Sequence, residues 1–167
     1  MGEPDKEQTS KRIKNVNLPD DQVPIEQLIG AIAYTKTDNQ IKLAMVHDVF
    51  GHWTLCKGKM SEGETTDQAI ARKMQEELGV TEAGRVVSKV GENSYIAYDP
   101  EKGKIKKSVG YYLVEIPGVD LVAPTEGGLD DAKWFDLEEV PTLNLYKDIV
   151  PVVTSAVKEL MGQVSEE

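Results

Sequence analysis

The chain has 167 residues, 40% hydrophobic and 29% charged, and its 29 acidic against 19 basic residues leave a net charge of −10. This length suits one domain with a real core, and the acidic balance argues against a protein that coats nucleic acid through a basic face. No apolar run has the length of a membrane span or the pattern of a signal peptide, and the single Cys56 fits a reducing, cytoplasmic compartment.

Residues 1–22 are polar and without periodicity, and read as a disordered tail ahead of one domain over 23–167. Glu26 to Tyr34 reads as a buried strand, and Asp38-Asn39-Gln40 as the turn into a second strand over Ile41 to Val49. His47 and His52 follow at strand-end and loop positions, outside any expected mechanism. A helix is expected after Glu64, capped by Thr65 or Thr66 and ended by Gly79, with Ala69, Ile70, Met74 and Leu78 as its apolar face. Gly84 to about Tyr98 and Ile105 to Ile116 read as two strands around the turn Asp99 to Lys104. Lys104, Lys106 and Lys107 suit a solvated strand edge better than a phosphate-steering patch. An acidic loop from Pro117 to Asp131 leads to a strand over Ala132 to Leu137. A last helix is expected from near Tyr146 to about Met161, with Pro151 early in it and an apolar stripe from Ile149 to Leu160.

The chemistry concentrates between Gly58 and Val80, GKMSEGETTDQAIARKMQEELGV. On one helix Arg72 and Glu76 stand a turn apart, and position 73 lies a turn from both Glu76 and Glu77. Carboxylates crowded at one end of a short rigid element are the oxygen ligands that hard divalent cations take. A metal ion there would let an acidic protein accept a nucleotide, because the ion supplies the local positive charge.

Gly58, Glu64, Arg72, Met74, Glu76, Glu77, Gly79 and Val80 fall in register with G-x5-E-x7-R-E-U-x-E-E-x-G-U, the signature of the Nudix hydrolases, which the chain resembles. The resemblance implies an α+β fold, an α/β/α sandwich with a mixed β-sheet and a loop-helix-loop catalytic motif. It also implies a hydrolase of a nucleoside diphosphate linked to another moiety, dependent on Mg²⁺ or Mn²⁺. Glu76 and Glu77 would ligate the metal, with Glu64, the backbone carbonyl of Lys57 and Glu126 as further ligands; Asp130 and Asp131 are alternatives to Glu126. Arg72 would orient the carboxylates with its forked guanidinium. Trp53 to Gly58 is similar to the W-x-x-P-K-G entry of the dinucleoside polyphosphate group, with Cys56 where proline is usual. Cys56 itself reads as a small buried residue, since this chemistry uses no thiol. By the same resemblance Trp53 and Tyr98 are base-stacking positions, although each also reads as ordinary packing, and Lys57 can meet a phosphate.

One box position departs from the signature. Lys73 stands where a glutamate is usual, and a protonated lysine neither ligates a metal nor accepts a proton. Three activities follow: a dinucleoside polyphosphate hydrolase, a house-cleaning nucleoside triphosphate pyrophosphohydrolase, and a weakened or inactive nucleotide-binding protein. The expected partner is a small nucleotide, with no nucleic acid and no membrane, on a monomer or homodimer.

Overall fold

In the computed structural model the described residues are 13–82, 84–124 and 126–165. Strand β1 (Ile25–Thr37) turns at Asp38 and Asn39 into β2 (Gln40–Asp48). Both turn residues have positive φ, 50° and 64°, as a two-residue primed turn requires, and Asp and Asn tolerate that region better than other side chains. The short β3 (Trp53–Thr54) and β4 (Cys56–Lys59) follow, then helix α1 (Thr66–Leu78). Strands β5 (Arg85–Asp99), β6 (Gly103–Glu115) and β7 (Leu129–Asp136) precede a 3-10 turn and the closing helix α2 (Val150–Ser165). Sequence reading missed β3 and β4, which are too short to show alternation. The last helix, expected from near Tyr146, begins at Val150 instead, after a turn over Lys147 to Ile149.

The chain divides into two units. The larger is Leu28–Asn93 with Val109–Glu167. Its strands follow the order β3-β2-β1-β6-β5, with β4 paired to β1 and β7 to β2. The α+β class and mixed sheet expected from the sequence are present. Ile29, Ala31 and Ala33 of β1, Ala44 and Val46 of β2, and Val114 of β6 share a buried cluster with Ala69, Ile70, Met74 and Leu78 of α1. Three alanines on that sheet face bring α1 close. The alternating Ile32, Tyr34, Leu43 and Met45 are equally buried and point to the opposite face, where α2 contacts β2 and its Gln163 bonds the Tyr34 hydroxyl. A sheet covered on both faces explains why β1 reads as a continuous apolar run.

The smaller unit combines the described residues up to Gln27 with Ser94–Ser108. There the Lys104 N–H donates to the Lys14 carbonyl (2.8 Å) and the Lys106 N–H to the Pro24 carbonyl (2.9 Å). Lys102 pairs with Glu26 and Lys104 with Asp20, each at 3.0 Å. Among the described residues no helix is long and apolar enough to cross a membrane.

Candidate active site

The site is built where β4 passes the start of α1. Thr65 caps the helix: its hydroxyl accepts from the Gln68 N–H at 3.1 Å, and the Gln68 side chain accepts from the Thr65 N–H at 2.9 Å. This reciprocal box satisfies two of the otherwise unpaired donors of the first turn. At the other end Gly79 takes φ 71° and donates to the Gln75 and Met74 carbonyls. A Cβ there would come within 2.9 Å of Val122, whose N–H donates to the Leu78 carbonyl. The helix is thereby held at both ends, with Ile70, Met74 and Leu78 buried beneath it.

Arg72 is the hub of the polar face. Its Nε donates to Glu64 Oε2 at 2.7 Å and its Nη2 to Glu64 Oε1 at 3.0 Å, a two-pronged grip on one carboxylate. Nη2 also reaches the Lys59 carbonyl at 2.7 Å, and Nη1 reaches Glu76 Oε1 at 3.1 Å. One guanidinium thus ties β4, the loop and α1 together. The Arg72 bonds and the Ser61 N–H, 2.7 Å from Glu64 Oε1, hold the Glu64 carboxyl down at about 2.

Lys73 lies with its Nζ 2.8 Å from Glu76 Oε2 and 3.6 Å from Glu77 Oε2. Its hydrogen bond is the main reason the Glu76 carboxyl sits below the ordinary range. Burial works against the charge of Lys73, but the bond to Glu76 and the charges of Glu77 and Glu76 outweigh it and raise its pKa. Glu77 is more enclosed. Burial pushes its carboxyl up, against the Lys73 charge and the Lys57 N–H, which donates to Oε1 at 3.3 Å. The buried Cys56 neighbours this pair; burial first, and then the Glu77 charge, push its thiol well up, which disfavours the thiolate.

Of the residues expected from the sequence, the structure brings Glu64, Arg72, Lys73, Glu76, Glu77 and the Lys57 backbone into one locus. Trp53 is half-buried with its ring edge-on to Phe135 and His47, each at 4.8 Å. With His47, Asp130 and Asp131 it lines an open cleft of about 350 Å³. Glu126 is exposed in the loop before β7. Its two alternatives are engaged there: Asp130 bonds His47 Nδ1 at 2.6 Å, and Asp131 accepts from the Ala132 N–H at 2.8 Å. Tyr98 is 62% exposed on β5, in the other unit.

Neither histidine stands out by its spacing in the sequence. His47 proves to be the wall of the Trp53 cleft, held by Asp130. His52 stacks on Tyr146 with ring centres 3.9 Å apart. Tyr146 in turn donates to Asp48 Oδ2, while Asp48 Oδ1 accepts the Phe50 and His52 N–H groups at 3.0 Å each. No spacing signal connects residues so far apart in the chain.

This strand-loop-helix, with Glu64 and Glu76 gripped by one arginine and Glu77 beside them, has counterparts among known proteins. The NUDIX domain model matches residues 27–155. The bis(5'-nucleosyl)-tetraphosphatase [asymmetrical] of Sus scrofa is 29% identical over 124 residues, covering 71% of this chain and 80% of that one. The NAD-capped RNA hydrolase NudC of Vibrio atlanticus is 29% identical over 126 residues, but the match spans 75% of this chain and only 41% of that protein. Among solved structures, a C. elegans Ap4A hydrolase binary complex superposes with a TM-score of 0.62 at 22% identity, covering 82% of this chain and 98% of that one. The NUDIX domain of Shewanella oneidensis NrtR complexed with ADP ribose gives 0.65 at 20% identity, covering 90% and 97%. The chain belongs to the NUDIX domain family and is a Nudix hydrolase, acting on pyrophosphate bonds.

Nudix hydrolases generally use a divalent metal. In the arrangement present, the residues do not form a cage for one. Among the described residues no group of three or more His, Cys, Asp or Glu side chains is placed to hold a metal ion. The three box carboxylates are already countered by Arg72 and Lys73.

Proposed function

We propose that the chain hydrolyses a pyrophosphate bond in a nucleoside diphosphate linked to another moiety, and that the substrate is a dinucleoside polyphosphate. The observation that carries this reading is the Glu64–Arg72–Glu76–Glu77 cluster set against β4, a few residues beyond the cleft at Trp53. The likeness to the Sus scrofa tetraphosphatase over most of both chains supports it. In this reading Trp53 and Tyr98 contact bases and Lys57 contacts phosphate. Arg72 keeps Glu64 and Glu76 oriented. Water forms a new bond to phosphorus, the bridging P–O bond breaks, the departing phosphate takes the negative charge, and the proton goes to solvent. Turnover is proposed to need Mg²⁺ or Mn²⁺, which Glu64, Glu76, Glu77, Glu126 and the Lys57 carbonyl would hold once Lys73 gave up its place against Glu76 and Glu77. We place the protein in the cytoplasm as a monomer or homodimer acting on free nucleotides rather than nucleic acid.

The test is a panel of dinucleoside polyphosphates, nucleoside triphosphates and ADP-ribose with each metal, products separated by ion-exchange chromatography. Fastest cleavage of a dinucleoside polyphosphate is expected. Preference for triphosphates would replace this substrate assignment with a house-cleaning one. A second reading rests on one observation, Lys73 in place of a proton acceptor: a nucleotide-binding module. Tight binding of a panel member by calorimetry without turnover would select it.

A further inference from the structure

We propose that Lys73 is a built-in cation of the box: in the nucleotide-free chain its ammonium takes the place of a divalent ion against Glu76 and Glu77, so that lysine and metal exclude one another. This concerns metal binding by the chain itself and does not depend on the substrate.

The head of Lys73 is seated between two carboxylates, 2.8 Å from Glu76 and 3.6 Å from Glu77. Its arm is seated as well. A Cβ built on Gly58 would fall 2.4 Å from Lys73 Cε, 2.7 Å from Cδ and 2.8 Å from Nζ. The absent side chain at Gly58 is therefore the groove in which the lysine lies. Only 16% of the Lys73 side chain is exposed, and 18% of Glu77. Exposed ion pairs of this spacing contribute little because solvent screens them and the arms are free. The Lys73–Glu77 pair is mostly enclosed, so screening is weaker there, while Glu76, the closer partner, is 48% exposed.

The remaining carboxylate oxygens are also directed at the protein. Arg72 faces both oxygens of Glu64 and one of Glu76. The Lys57 N–H faces Oε1 of Glu77. Each of the six oxygens thus meets a donor or cation of the chain, and three carboxylates against two cations leave a single net negative charge. Mg²⁺ demands near-octahedral oxygen at about 2.0–2.1 Å and gives up its water reluctantly. It would have to displace an ammonium already at hydrogen-bond distance. If the arm left without replacement, enclosed Glu77 would lose its cation, a costly state. One cation can therefore replace the other, but the two do not share the carboxylates.

The experiment measures Mn²⁺ binding to the nucleotide-free protein by the paramagnetic resonance signal of free Mn²⁺, with the thermal midpoint followed in Mg²⁺. The chains are the parent, Lys73→Gln, Lys73→Arg, and Lys133→Gln as a control for net charge at an exposed site on β7. Parent, Lys73→Arg and Lys133→Gln are expected to bind weakly, with a midpoint insensitive to metal. Lys73→Gln should bind about tenfold tighter or more, since a unit charge within a few ångströms of a dication is removed, and its midpoint should rise with metal. A parent that binds Mn²⁺ as tightly as Lys73→Gln overturns the proposal, as does an equal gain in Lys133→Gln. Should Lys73→Gln not fold by circular dichroism, the parent's lysine ammonium resonances decide. A solvent-protected Lys73 signal that is lost in step with Mg²⁺ binding supports the proposal, and one that persists while Mg²⁺ is bound overturns it.

Discussion

At the scale of single residues, the box of this chain differs from its family signature by one side chain, and that side chain changes the charge of the site by two units. A glutamate at position 73 would stand one turn from Glu76 and Glu77 and complete a four-carboxylate cluster. Lys73→Glu is therefore expected to tighten Mg²⁺ binding and to speed pyrophosphate hydrolysis together. The gain should be about tenfold or more, toward the 10²–10⁴ that a positioned general base commonly supplies. Without metal the variant should melt lower than the parent, because like charges then crowd one turn; metal should reverse this by binding the folded state. Paired turnover and melting curves with and without Mg²⁺ check both halves. A variant no faster than a fast parent would mean that another residue already serves as base.

At the scale of elements, the helix that carries the site depends on its cap and on close packing beneath it. Thr65→Ala removes the acceptor for the Gln68 N–H and should cost about 1 kcal/mol by denaturant titration. Turnover should fall as well, since Glu64 and Arg72 are joined across that same turn. Gly30 in β1 faces the ring of Tyr111, and a Cβ there would sit 2.4 Å from Cδ1. Tyr111 is fully buried and cannot swing clear, so Gly30→Ala should destabilise by about 1–3 kcal/mol, read as a lower midpoint in urea with an unchanged slope. A neutral result there would mean that the sheet yields more readily than its packing suggests.

At the scale of the whole molecule, the segment before α2 is fastened to the β2 end through Tyr146 and Asp48, which lie 98 residues apart. Burial alone would raise the Asp48 carboxyl, but Tyr146, His52 and Phe50 donate to it and bring it below its ordinary 3.8. Its contribution is thus present above pH 3.8 and is lost as pH falls through the lower folded value. The same bond raises the Tyr146 phenol above 10.0, so its contribution is present below that pH and is lost as pH rises through the folded value. Tyr146→Phe should lower stability by about 1 kcal/mol at neutral pH, solvent keeping the figure modest. The gap between parent and variant melting curves should close in acid below pH 3.8 and in alkali above pH 10.0. A gap independent of pH would mean that the hydroxyl acts through packing alone.

What the sequence determined by itself was local. Spacing along one helix put Arg72 and Glu76 on one face and position 73 a turn from Glu76 and Glu77, Thr65 or Thr66 and Gly79 marked the ends, and the apolar run of β1 announced a buried strand. These features follow from the periods of helix and strand, which act over a few residues. Tertiary structure decided what those periods do not carry. Short β3 and β4 exist because β2 and β1 offer them edges to pair with. Pairing of β7 with β2 brought Asp130 to His47. The state of Lys73 required both its own helix and β4, because the groove over Gly58 that seats its arm forms only when the two are packed together.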